Sequence, residues 1–152
     1  MKSVTLSHNT RINKPIAEVF EFFSKAENLN LLTPPIINFK ILSPLPIKMF
    51  PGQIINYQIA LMGIPFKWKT KISVWNPPHS FVDEQISGPY SKWHHQHIFK
   101  SVGNETEMTD IVEYRSKGWI FAPFLHWLFV DKKVNEIFAY REQQLNEIFR
   151  NN

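Results

Sequence analysis

Between residues 80 and 116 the chain carries side chains that can move protons, hold a metal or grip a polar ligand: Asp83, Gln85, His95, His97, Asp110 and Tyr114. They fall at alternate positions of three consecutive segments, 80–87, 90–101 and 105–116, which alternate in the manner of strands. Phe81, Asp83 and Gln85 share a face of the first segment, and Trp93, His95, His97 and Phe99 share a face of the second. Thr106, Met108, Asp110, Val112 and Tyr114 share a face of the third. The loop from Val102 to Glu105 sets Ser101 opposite Thr106, which places His97 opposite Asp110, His95 opposite Val112 and Trp93 opposite Tyr114. The loop Gly88-Pro89-Tyr90 places Phe81 opposite His97, Asp83 opposite His95 and Gln85 opposite Trp93. A slip of one residue would break the matching of faces, so parity is firmer than loop length.

Four chemistries fit such a row on an otherwise aromatic face. Asp83–His95 and Asp110–His97 pairs can satisfy one another and fix the register of a buried sheet. The same groups can form the polar floor of a ligand cavity with apolar walls. A His–Asp dyad can serve as general acid and base, since imidazole titrates near neutral pH and a carboxylate raises its basicity. His-x-His on a strand can also join Asp83 or Asp110 in a two-histidine, one-carboxylate metal site. His-x-His alone is a weak signal, so no metal, cofactor or catalytic residue is assigned. His95, His97, Asp83 and Asp110 are the catalytic candidates if the protein is an enzyme. The chain has no phosphate loop, HExxH or nucleophile motif. It has no cysteine, which excludes disulfides, zinc–cysteine sites and a thiol nucleophile.

The elements that must position this row are legible from period and punctuation. Residues 2–12 alternate and read as a strand. Asn13-Lys14-Pro15 opens a short helix with Ile16, Val19, Phe20 and Phe23 on one stripe. A second short helix is expected from Glu27 to Leu32, stopping before Thr33-Pro34-Pro35. Further strands are expected at 36–43, 52–61 and 64–75. In the last, Phe66, Trp68, Thr70, Ile72 and Val74 point inward, and Lys67, Lys69 and Lys71 face water. From about Pro123 to Arg150 the period is helical, with Val130, Val134, Ile137, Phe138, Leu145, Ile148 and Phe149 on one stripe. The order β-α-α-β-β-β-β-β-β-α gives an α+β fold: a curved, seven-stranded antiparallel sheet around one long C-terminal helix. Residues 1–152 read as a single domain.

Composition narrows the classes further. Aromatic residues make up 14% of 152 residues, more than a core of this size packs easily, so a cavity or an apolar docking surface is expected. The net charge of +4 is mild, and the lysine face lacks the aromatic platforms that stack bases, so no nucleic-acid partner is expected. The N-terminus lacks the apolar stretch of a secretory signal, and the longest apolar run, Trp119 to Val130, is too short for a span. The expectation is a cytoplasmic protein. That run is bracketed by Lys117 and Lys132-Lys133. It reads either as a buried helix start or as a cavity mouth built on Phe121, Phe124 and Trp127, with transient contact to a membrane surface.

The stretch Phe81 to Tyr90, followed by Trp93, His95, His97 and Phe99, resembles the START-like superfamily (SRPBCC, Bet v 1-like), and within it the small bacterial ligand-binding or polyketide cyclase/dehydrase-like subgroup. Thr33-Pro34-Pro35, Gly52, Tyr57, Trp68, Thr106, Asp110, Tyr114 and the closing Ile137-Phe138-Ala139-Tyr140-Arg141 fit as well. The resemblance implies a helix-grip fold whose long helix closes a cavity for a lipid, polyketide, sterol or aromatic compound. It carries over no catalytic set. Three functions follow as expectations. The first is binding or carriage of a hydrophobic small molecule, with Tyr57, Phe66, Trp68, Trp93, Phe99, Met108 and Tyr114 as walls. Asp83, Gln85, His95, His97 and Asp110 would be its polar anchors. The second is a cyclase/dehydratase-type enzyme using a His–Asp pair. The third is an interaction module using the aromatic start of the last helix, as monomer or homodimer.

Overall fold

The computed structural model describes residues 2–61, 63–117 and 132–150. Seven strands form one antiparallel sheet in the order β1-β7-β6-β5-β4-β3-β2. They are β1 (Val4–Ile12), β2 (Lys40–Ile41), β3 (Ile54–Leu61), β4 (Ile64–Asn76), β5 (Ser80–Ser87), β6 (Tyr90–Val102) and β7 (Glu105–Ser116). The first strand closes on the last, and every other neighbour is consecutive in sequence. The longest ladder, β6 with β7, is joined by Gly103 and Asn104, and Gly103 takes φ +61°. A left-handed φ at the first turn position favours glycine and matches the twist of the strands. The register that follows is Ser101 opposite Thr106, as the loop length implies.

Helix α1 (Ile16–Phe23) begins after Pro15, which stands at the N-cap with its φ already fixed near the helical value. It buries Val19, Phe20 and Phe23. The expected second helix is a 3₁₀ segment, Ala26–Leu32. Its polar residues draw on the backbone: Asn28 Nδ2 donates to Phe22 O at 2.8 Å, and Thr33 Oγ1 donates to Leu29 O at 2.7 Å. Such bonds compete with an α-helical ladder. The expected strand at 36–43 shrinks to Lys40–Ile41. Residues Pro35–Ile37 form a second 3₁₀ turn and Asn38 adopts a left-handed φ of 47°, so the strand begins only at Lys40.

The long C-terminal helix, α2, is described from Lys132 to Arg150, and the expected start from 123 to 131 lies outside the described residues. Its buried stripe is Val134, Phe138, Arg141 and Leu145. In β4 the expected inward position of Val74 is corrected. A bulge between Ile72 and Val74 reverses the parity, leaving Val74 exposed and Trp75 half-buried against the core.

Candidate ligand-binding site

Strands β5, β6 and β7 bring four titratable side chains into one group. The Cα partners are Phe81 with His97, Asp83 with His95, His95 with Val112 and His97 with Asp110. The shortest hydrogen bonds run diagonally across this ladder. His95 Nε2 donates to Asp110 Oδ1 at 2.7 Å, and His97 Nε2 donates to Asp83 Oδ2 at 2.7 Å. The directly opposed pairs are also close: His97 Nδ1 is 3.0 Å from Asp110 Oδ1, and His95 Nδ1 is 3.7 Å from Asp83 Oδ2. Each aspartate therefore meets both rings. The imidazoles lie against each other with centroids 3.7 Å apart, and Phe81 stacks on His97 at 4.0 Å.

A fifth charge comes from the helix. Arg141 Nη2 lies 3.6 Å from Asp110 Oδ1, and its guanidinium sits 5.2 Å over the Phe23 ring. Arg141 was absent from the candidates, yet a signal for it exists. Positions 134, 138, 141 and 145 form one stripe at i, i+4, i+7 and i+11, and Arg141 is its sole charge. A charge on a buried stripe must be paired.

Burial and charge set the protonation states. Burial pushes Asp110 toward neutrality, but Arg141 and the two imidazole hydrogen bonds outweigh it and hold the carboxyl well below its usual range. Asp83 is likewise lowered: burial pushes it up most strongly, but the His97 hydrogen bond together with the His95, His97 and Arg141 charges outweighs it. Burial would lower His97, but hydrogen bonds to Asp110 and Asp83 raise it. His95 is lowered by burial and then by the neighbouring His97 charge. These shifts favour Asp83 and Asp110 as anions beside the Arg141 cation, and they make His97 the more readily protonated of the two imidazoles. Arg141 and the imidazoles thus supply the counter-charge that two buried carboxylates require.

This cluster forms one end of a cavity of about 180 Å³. Among the described residues the apolar walls come from three sources. The sheet supplies Ile55, Tyr57, Trp68, Ile72 and Trp93. The segment of α1 and the first 3₁₀ turn supplies Phe22, Phe23, Leu29 and Leu32, and α2 supplies Val134, Ile137 and Phe138. Asp83, His95, His97 and Arg141 face the same space. Asp83 is the most open of the cluster, with a side chain 17% exposed against 2% for Asp110. Burial, and then the Asp83 charge, raise the Tyr57 phenol, so it stays protonated.

The remaining sequence candidates sit elsewhere. Phe66 packs half-buried against the larger core cluster, and Tyr114 is fully buried within it. Phe99 and Met108 belong to the cluster under α1. Asp110 lies behind the imidazoles rather than on the cavity wall. Gln85 braces the turn: its Nε2 donates to Tyr90 O at 2.7 Å, and its Oε1 accepts from Tyr90 N at 3.2 Å. Gly88 leaves room for that carboxamide, since a Cβ there would stand 2.5 Å from Gln85 Oε1. Phe121, Phe124 and Trp127, expected at the mouth, lie outside the described residues. Lys67, Lys69 and Lys71 are exposed on the far face of the sheet.

A family model for polyketide cyclase/dehydrase and lipid transport proteins matches residues 12–140. The chain belongs to that family. Its fold is the START-like helix-grip, and solved structures across the superfamily superpose on it. An aromatase/cyclase from a Streptomyces species gives a TM-score of 0.79 at 11% identity, covering 98% of this chain and 94% of that one. A START superfamily protein from Mycobacterium smegmatis gives 0.72 at 13%, covering 97% of each chain. A major latex-like protein of Panax ginseng gives 0.65 at 12%, again covering 97% of each. At such identities the likeness speaks for the fold alone. No curated protein matches the chain in sequence. Among the described residues no helix is long and apolar enough to cross a membrane.

Proposed function

We propose that the protein binds and carries a hydrophobic small molecule (a lipid, polyketide or aromatic compound) in the cavity between the sheet and α2. The observation that carries this reading is the cavity itself: about 180 Å³, walled mainly by aromatic and aliphatic side chains, with Asp83, His95, His97 and Arg141 grouped on its wall and Lys25 the one other charged residue of its lining. An apolar cavity of about 150 Å³ is enough to take up benzene. One or two fused rings therefore fit, with a hydroxyl or carbonyl oxygen set against Asp83, His95 or His97. The ligand walls in this reading are Tyr57, Trp68 and Trp93 from the sheet, and Phe138 from the helix.

Titration of 2-naphthol followed by isothermal calorimetry tests it. One saturable site in the micromolar range or tighter is expected. Heats that never saturate would overturn the reading. A second reading, cyclase/dehydratase chemistry, draws on one atom. His95 Nδ1 makes no hydrogen bond among the described residues, and the ring is held neutral, so it can accept a proton from a bound substrate. In that case His95→Gln removes turnover of an aromatic polyketide substrate while naphthol binding survives.

A further inference from the structure

The polar end of the cavity has a geometry that register-fixing alone does not require. A ladder of self-paired residues needs one carboxylate per imidazole. Here Asp110 approaches both rings from the buried side, and Asp83 approaches both from the cavity side. One ligand atom from each of Asp83, His95 and His97 can be chosen so that all three lie within 4.8 Å of one another. Asp83 Oδ2 is 2.7 Å from His97 Nε2 and 3.7 Å from His95 Nδ1. Those two separations bracket the spacing of about 3.3 Å between neighbouring ligands on a tetrahedral zinc with bonds of about 2.0–2.1 Å.

We propose that Asp83, His95 and His97 bind one divalent first-row transition metal, with zinc best suited to their two-nitrogen, one-oxygen set. His95 coordinates through Nδ1 and His97 through Nε2. The opposite nitrogen of each ring then points at Asp110 Oδ1, at 2.7 and 3.0 Å. Metal-bound histidines characteristically donate their other N–H to a carboxylate, which fixes the tautomer and strengthens the ligand. Arg141 steadies that carboxylate in turn, 3.6 Å from the same oxygen. The three ligands line the cavity and Asp110 does not, so the open coordination position faces the space where a ligand sits. The charge balance specifies what completes the shell. With both imidazoles neutral, two carboxylates and Arg141 leave one negative charge, and a divalent ion turns this to one positive. A carboxylate, enolate or phenolate oxygen restores neutrality. This site does not depend on the hydrophobic-carrier reading and can be right where that reading is wrong.

The test uses the full chain stripped with EDTA and retitrated with metal alone. Zn²⁺ is followed by calorimetry, and Co²⁺ by visible absorption and paramagnetic proton NMR. One equivalent is expected to bind, with d–d bands and two strongly shifted exchangeable protons, His95 Nε2–H and His97 Nδ1–H. Asp83→Asn and His97→Gln should weaken binding by 100-fold or more, and Asp110→Asn by roughly 10–100-fold. His94→Gln, on the opposite face of β6, should leave it unchanged. Should a buried histidine variant fail to fold by circular dichroism, Asp83→Asn and the two shifted protons of the unaltered protein decide the matter. No stoichiometric uptake, absence of the shifted protons, or affinity indifferent to Asp83→Asn would overturn the proposal. A repeat 2-naphthol titration of the stripped protein reports on the carrier reading separately.

Discussion

Two aromatic clusters flank the ionic group, and they differ in what lies across them. On one side Phe20, Phe23, Phe81 and Phe99 meet in edge and stacked contacts with centroids 5.2–6.1 Å apart, and α1 lies over them. On the other side Tyr57 stacks on Trp68 at 5.7 Å, Trp93 meets Trp68 edge-on at 5.3 Å, and the cavity opens beside them. The two clusters share residue types and the same sheet. A helix that delivers two phenylalanines into the first makes it core, whereas among the described residues no helix delivers such a filler into the second, which leaves room for a guest. The ionic cluster sits at the boundary, with His97 stacked on the first cluster and His95 edge-on to Trp93 of the second.

Breaking the packed side should have the largest effect. Phe99→Ala removes a ring that is 2% exposed and should cost about 3–5 kcal/mol. At this size that lowers the melting temperature by roughly 10 °C. Asp110→Asn, at the boundary, should cost about 3 kcal/mol, because Arg141 and His97 lose their common counter-charge. Chemical denaturation of each variant measures both. Phe39→Ala, on the half-buried cavity wall, should cost only about 1–2 kcal/mol, since one side of that ring already faces open space. It should change 2-naphthol affinity, whereas Lys71→Ala on the outer sheet face should leave that affinity alone and stay within about 0.5 kcal/mol of the parent.

The boundary cluster should also give the metal-free protein a pH profile with two limbs. Asp83 and Asp110 are lowered from 3.8, so their stabilisation is present above that value and is lost as pH falls through their folded values. His95 is lowered from 6.5, so its neutral form adds stability above 6.5 that is eroded on acidification. His97 is raised from 6.5, so its contribution is complete below 6.5 and is lost as pH rises through its folded value. Melting temperature against pH should therefore fall on both sides of neutrality, and the alkaline limb should vanish in His97→Gln. An unchanged alkaline limb in that variant would assign it to other groups.

The sheet was legible because a period of two and short hairpins leave little freedom. Pairing His97 with Asp110 follows once Ser101 opposes Thr106, pairing Asp83 with His95 follows from the loop at Gly88, and those partners are found. What the pattern could not carry is local chemistry that overrides period. The bulge after Ile72 exchanges Val74 for Trp75, and Asn28 and Thr33 bonding to the backbone replaces a helix by a 3₁₀ turn. The cluster was partly legible. Strand parity put two histidines and two aspartates on one face, but it could not show that the shortest bonds run diagonally, because ring orientation is set by packing against Phe81. Gln85 has the right parity and a different task, since the tight turn at Gly88 captures its carboxamide. Arg141 arrives from a helix far along the chain and could be found only by asking why one apolar stripe contains a charge.

The contrast between a packed side and an open side is tested most directly by locating a bound guest. With 2-naphthol at saturation, intermolecular NOEs to the methyl groups can be read by isotope-filtered NMR. The account predicts contacts to Ile55, Ile72 and Val134, which line the cavity, and none to Ile12 or Leu145, which belong to the packed cluster. Contacts confined to exposed methyls such as those of Ile64 and Ile86, with the cavity methyls silent, would contradict it.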